Sequence, residues 1–155
     1  MKAINRLKEL KIQESKKQYP NMPSHAIPTP KYSDSSANGL TKCVIDWLLL
    51  NGHFAERHSN EGRTIDNRKT YTDVLGQRKT IGTVKRIPTT QTKGTSDIKA
   101  VINGRMVAIE IKYGKDKQSQ AQIEYQKKVE GAGGIYLIVK DFETFYNDYL
   151  KLIEL

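Results

Sequence analysis

The dipeptide Asn103-Gly104 constrains this chain more than any other feature, because it sits between two alternating apolar–polar runs, residues 95–102 and 105–112. A two-residue type I′ turn needs φ > 0 at both central positions, and Asn-Gly is its strongest short signal. The spacing therefore predicts a hairpin in which Val101 opposes Met106, Lys99 opposes Ala108 and Asp97 opposes Glu110. Side chains alternate between faces with period two, so Lys112 shares a face with both acids. Directly opposed carboxylates, about 5 Å apart at Cβ, repel each other. The pattern calls for a cation between them, and a divalent metal with the Lys112 ammonium beside it answers that need. The plainer alternative is a surface hairpin in which Lys112 bridges two acids, an arrangement that is common and worth little.

Metal-assisted phosphodiester hydrolysis needs oxygen ligands for a hard cation and a positive group near the attacking water or the developing charge. Asp97, Glu110 and the backbone carbonyl of Ile111 are the candidate ligands, and Lys112 is the candidate cationic group. Mg²⁺ keeps several waters and takes only one or two carboxylates, so two acids suffice. The charge balance agrees: 26 Lys/Arg stand against 17 Asp/Glu, a net charge of +9 on 155 residues. A basic chain of this size expects a polyanionic partner, with an ordinary lysine-rich surface as the alternative.

Other chemistries are disfavoured. One cysteine, Cys43, excludes a disulfide framework and a multi-cysteine zinc site, and reads as a core residue. His25, His53 and His58 have no ligand spacing with one another or with Cys43. The longest apolar runs, residues 47–50 and 135–139, are too short to span a bilayer, and no signal-peptide pattern opens the chain. A cytoplasmic location with no membrane partner is the expectation.

Residues 1–37 read as a basic, Pro-rich arm, flexible and separable, with a thin stripe (Ile4, Leu7) supporting at best a marginal helix. The compact domain is expected over residues 38–155. Leu40, Cys43, Val44, Trp47 and Leu48 have helical spacing, with Asn38 as cap and Asn51-Gly52 as stop. A short strand over 53–57 follows. Residues 60–93 carry Arg63, Arg68, Lys69, Arg78, Lys79, Lys85, Arg86 and Lys93 against Glu61, Asp66 and Asp73, with strands at 71–75 and 80–87 and turns or bulges at Gly76 and Gly82. After the hairpin come a helix capped near Ser119, a buried strand at 135–139 and a last helix at 142–153 carrying Phe145, Tyr149 and Ile153 on one side. Tyr136, Tyr146 and Tyr149 read as packing residues. The order predicts an α/β fold with a mixed sheet flanked by helices.

Gly94-Thr95-Ser96-Asp97, Glu110-Ile111-Lys112, Ser119-Gln120-Ala121-Gln122 and Gly133-Gly134 before an apolar strand resemble a VRR-NUC domain, a branch of the PD-(D/E)XK nuclease superfamily. Residues 40–62, with Gly52 and Arg57-His58-Ser59-Asn60, resemble its first helix and following strand. The likeness covers residues 38–140, loosely over 60–93. It implies a restriction-endonuclease-like core in which Asp97 and Glu110 ligate Mg²⁺ or Mn²⁺, Lys112 is the catalytic lysine and Gln122 lines the site. The chain departs from the family at Asn38-Gly39-Leu40-Thr41, where a first-helix glutamate is expected and no acid stands. Asp34 and Asp46 are the nearest substitutes.

Stand-alone members of this family are small phage- or prophage-type homodimers that cut branched DNA such as Holliday junctions. The resemblance thus implies a metal-dependent DNA endonuclease that prefers branched or duplex DNA and forms a homodimer. The alternatives are a flap or restriction-like nuclease, and a nucleic-acid-binding protein with a degenerate site. Arg57, Lys85, Arg86 and Lys93 are the candidate phosphate contacts.

Overall fold

Asn103 and Gly104 adopt φ of 48° and 77°, the left-handed pair that the turn requires. The opposed pairs Val101 with Met106 and Lys99 with Ala108 form in the predicted register. The computed structural model describes residues 2–58, 63–87 and 92–154, so Ser59, Asn60 and Gly62 of the resembled segment lie outside the described residues. In chain order the elements are α1 (Ala3–Gln18), α2 (Ala37–Leu50), β1 (Phe54–Arg57), β2 (Arg63–Asp66), β3 (Lys69–Thr72), β4 (Arg78–Ile81), β5 (Val84–Ile87), β6 (Ile98–Ile102), β7 (Arg105–Ile111), α3 (Gln120–Gly131), β8 (Ile135–Val139) and α4 (Phe142–Ile153). The chain divides into two compact units, residues 1–58 with 93–155, and residues 59–92. The single domain expected over 38–155 is therefore interrupted by a separate unit, and the N-terminal segment belongs to the larger one.

In the larger unit the sheet order is β1-β6-β7-β8. β1 and β7 both run antiparallel to β6, while β8 runs parallel to β7. The parallel pair needs a crossover, and α3 provides it. Ile98, Ala100, Ile102, Val107, Ile109, Ile111 and Val139 face one core with α1, α2 and α4. There Trp47 stands edge-on to Phe142, Tyr146 and Tyr149, with ring centroids 5.1–6.1 Å apart. Residues of opposite parity, Ala108 and Tyr136, form a second cluster with Val129 of α3. The result is a mixed sheet flanked by helices.

Two expectations change. Ser36, not Asn38, caps α2, its hydroxyl accepting from the Gly39 amide at 3.1 Å. The N-terminal segment is not a free arm: Ala3 and Leu7 are buried and Ile4 and Leu10 pack against the main core. The Ala3 amide donates to Glu143 of α4 at 2.9 Å, and the Arg6 guanidinium bonds the Tyr146 hydroxyl. Its helix owes its stability to this docking rather than to a broad apolar stripe, which is why the sequence underrates it. Even the Pro-rich stretch is tied down, for Tyr32 is buried and donates to Asp46 at 2.7 Å. Among the described residues no helix is long and apolar enough to cross a membrane.

Candidate active site

β6 begins at Ile98, three residues later than the sequence pattern suggests. Gly94 is the cause of the loop before it. With φ of +78°, it crosses α3 so closely that a Cβ would lie 2.2 Å from the Ala121 carbonyl oxygen. Thr95 and Ser96 are buried beneath this crossing, and the Ser96 hydroxyl donates to the Ile98 carbonyl at 3.1 Å. Asp97 follows, its carbonyl accepting from the His58 amide at 2.7 Å. Its carboxylate reaches across to β7, where Oδ2 accepts from the Ile111 amide at 2.9 Å. The side chain thus extends the β6–β7 ladder one step past the end of the strand.

Glu110 is 1% exposed on β7, on the α3 side of the sheet. Its Oε1 accepts from the Gln122 side-chain amide and lies 3.0 Å from Lys112 Nζ. Its Oε2 accepts from the Tyr136 hydroxyl at 3.4 Å. Lys112, 5% exposed, also donates to Gln122 Oε1 at 3.1 Å and to Asp116 Oδ2 at 3.2 Å. The Gln122 oxygen is shared, because the Ser119 amide donates to it at 2.8 Å as half of a capping box at the start of α3. Gln122 therefore holds Glu110 of β7 and Lys112 just past its end while closing the first turn of the helix.

Burial raises the Glu110 pKa, and the neighbouring Asp97 charge adds to this against the opposing hydrogen bonds from Lys112 and Tyr136. Burial works against the Lys112 charge, but the carboxylates of Glu110 and Asp116 outweigh it and raise its pKa. Tyr136 is pushed far up, first by burial and then by the Glu110 charge. The group thus holds an ammonium favoured by its carboxylate neighbours, a neutral phenol donor and a buried carboxyl that takes up a proton more readily than usual.

Asp97, Glu110, Lys112 and Gln122 are brought to one place, and Ile111 meets Asp97 through its amide. Tyr136, read from the sequence as a packing residue, does pack with Ala108 and Val129, but its hydroxyl also joins the group; Asp116, which the sequence did not single out, completes it. The only signal for Tyr136 is parity in β8, readable once Ala108 is known to pair with Tyr136 and Glu110 with Ile138. Arg57 is exposed, and its guanidinium donates to Asn38 at 2.8 Å. Lys93 is exposed in the turn that leads into Gly94. Lys85 and Arg86 lie exposed on β5, in the other unit. Neither substitute for the first-helix acid joins the group: Asp34 accepts from the Phe142 amide at the start of α4, and Asp46 from Tyr32.

Among the described residues no cluster of three or more His, Cys, Asp or Glu could hold a metal. His53 pairs with Tyr149 and His58 with Glu56. Two carboxylates with one strand carbonyl suit a single hard cation that keeps water on the rest of its shell. Searches against known proteins found no matching family model and no matching curated protein.

Proposed function

We propose that this chain is a metal-dependent DNA endonuclease of the PD-(D/E)XK type, with a restriction-endonuclease-like core arranged as in VRR-NUC domains. One observation carries the reading: a buried Glu110–Lys112 pair, bridged by Gln122, stands beside Asp97 at the open end of a hairpin. A structural salt bridge at this place would need neither a second carboxylate nor a glutamine shared between acid and base. Mg²⁺ or Mn²⁺, held by Asp97, Glu110 and the Ile111 carbonyl, would supply electrophilic stabilisation of the phosphodiester and acidify water.

The chain's own residues do the rest. Lys112, with its raised pKa, stays protonated and so orients water and offsets developing phosphate charge; it does not serve as the base. Gln122 and Asp116 fix where that ammonium sits. Tyr136, a neutral donor, pins one Glu110 oxygen and leaves the other to Gln122 and Lys112. Branched DNA as substrate and a two-fold dimer that incises it symmetrically rest on the family resemblance. A binder with a degenerate site is the second reading, favoured by the missing third acid and by the engagement of both Glu110 oxygens.

Nicking of a supercoiled plasmid and of a synthetic four-way junction decides between them. The expected outcome is cleavage that requires Mg²⁺ or Mn²⁺ and falls by about 10²-fold or more in Asp97→Ala and in Lys112→Ala. Junction binding without cleavage in either metal overturns the enzyme. Preferential cutting of flaps, or sequence-dependent cutting of linear duplex, reassigns the substrate while keeping the chemistry.

A further inference from the structure

None of the side chains assembled in the site above belongs to the unit formed by residues 59–92. Its described portion is one antiparallel ribbon in two ladders, β2 with β5 and β3 with β4. Gly82, at φ +100°, marks the break between them. Asp73 builds the tip: its Oδ1 accepts from the Leu75 and Gln77 amides at 2.9 Å each, and its Oδ2 pairs with Lys79 at 2.7 Å. Gly76 at φ +77° completes a three-residue loop of the type I plus bulge kind. A turn tied this firmly displays two aliphatic side chains to solvent, Val74 at 103% and Leu75 at 79% exposure.

The ribbon's charge is equally one-sided. Between residues 63 and 87 seven Lys/Arg stand against two Asp, and both acids are already paired, with Arg68 and with Lys79. Arg63, Lys69, Arg78, Lys85 and Arg86 have no acidic partner among the described residues. On one face of each ladder a cation sits across from an apolar or aromatic residue: Arg63 from Ile87, Lys85 from Ile65, Lys69 from Ile81, Lys79 from Tyr71. No residue of the ribbon is buried, and a two-stranded ribbon alone is marginal in water. A second copy of the same ribbon would bring like charges together, whereas a polyanion neutralises them. Duplex DNA admits a two-stranded ribbon in its major groove, and apolar side chains can wedge between base steps.

We propose that residues 63–87 are a DNA-binding ribbon whose lysines and arginines contact phosphates while Val74 and Leu75 wedge between neighbouring bases at its tip. This rests on the nuclease reading for its substrate class and deepens it. Wedging costs least where stacking is already broken, so the tip supplies a preference for junctions over continuous duplex.

The test uses the full chain without divalent metal, so that binding is read apart from cleavage. Duplex and four-way junction DNA carrying 2-aminopurine are titrated over a range of salt. The Lys69→Ala/Arg78→Ala/Lys85→Ala/Arg86→Ala variant is expected to bind about tenfold more weakly or worse and to lose about 3 from the slope of log K against log salt. The Val74→Ser/Leu75→Ser variant is expected to keep that slope and lose the 2-aminopurine fluorescence rise that reports unstacking. Unchanged affinity and slope in the first variant, or unstacking that survives in the second, overturns the ribbon. So does a wild-type dimer that falls apart in the second variant with DNA binding intact, which would make the tip a contact between copies. A chain that binds in this way but never cleaves refutes only the nuclease. One that cleaves at wild-type rate in both variants refutes only the ribbon, and a wild-type chain that binds neither DNA refutes both.

Discussion

Glu110 is the residue on which the larger unit is most finely balanced. Its pKa is raised from 4.5, so the folded protein takes up a proton more readily there than the unfolded chain does. For a raised pKa the sign is fixed: the contribution to stability is fully present below 4.5 and is lost as pH rises through the folded value. In metal-free buffer the melting temperature of the wild type, measured against Glu110→Gln, should therefore fall across that window and then level off. A difference that stays constant with pH would show that the carboxyl is not perturbed. A bound cation opposes this trend, since a metal prefers the ionised ligand. The sequence revealed Asp97, Glu110 and Lys112 because turn chemistry and strand parity are local, whereas Gln122 was named only through the family resemblance. It did not reveal the place of Tyr136 and Asp116 in the site: one depends on a parallel register set by a crossover, the other on the path of a loop.

At the scale of elements, local signals were read well and docking was not. The Asn103-Gly104 turn, β8 and α4 lie where turn residues, an apolar run and helical spacing put them. Phe145 and Tyr149 enter the core as that spacing implies, while Ile153 at 38% exposure sits at its margin. α1 carries the opposite lesson, because its few apolar residues look insufficient until α2 and α4 are there to receive them. Leu7 is wholly buried, and Leu7→Ala should cost about 2–5 kcal/mol in urea unfolding. A change near zero would restore the view of this segment as a separable arm. The same docking means that truncating the N-terminus uncovers Trp47 and Tyr146, so a loss of DNA binding on truncation would report on folding as well as on contact.

For the whole molecule, the division into two units predicts two stabilities. β6, β7 and β8 hold fully buried residues, whereas the ribbon of residues 63–87 holds none. Native-state hydrogen exchange should find the sheet amides protected near the global limit and the ribbon amides opening at far smaller free energy. Equal protection in both would mean that the ribbon is covered by something that its exposure does not show. This unit was also the least legible in the sequence, because threonine, lysine and arginine alternate there without an apolar face to fix which strands pair. Its turn and the break between its two ladders were nonetheless marked by Gly76 and Gly82, both in the left-handed region.

The Gln122 side chain gives the chain an unplanned spectroscopic handle. Whatever draws Glu110 or Lys112 away from that amide also disturbs the oxygen that receives the Ser119 N–H. Titrating Mg²⁺ while following the Ser119 amide proton by NMR should therefore produce a saturable chemical-shift change at a residue that need not touch the ion. A resonance that stays put while Glu110 responds would mean that the helix terminus is deaf to the chemistry beside it.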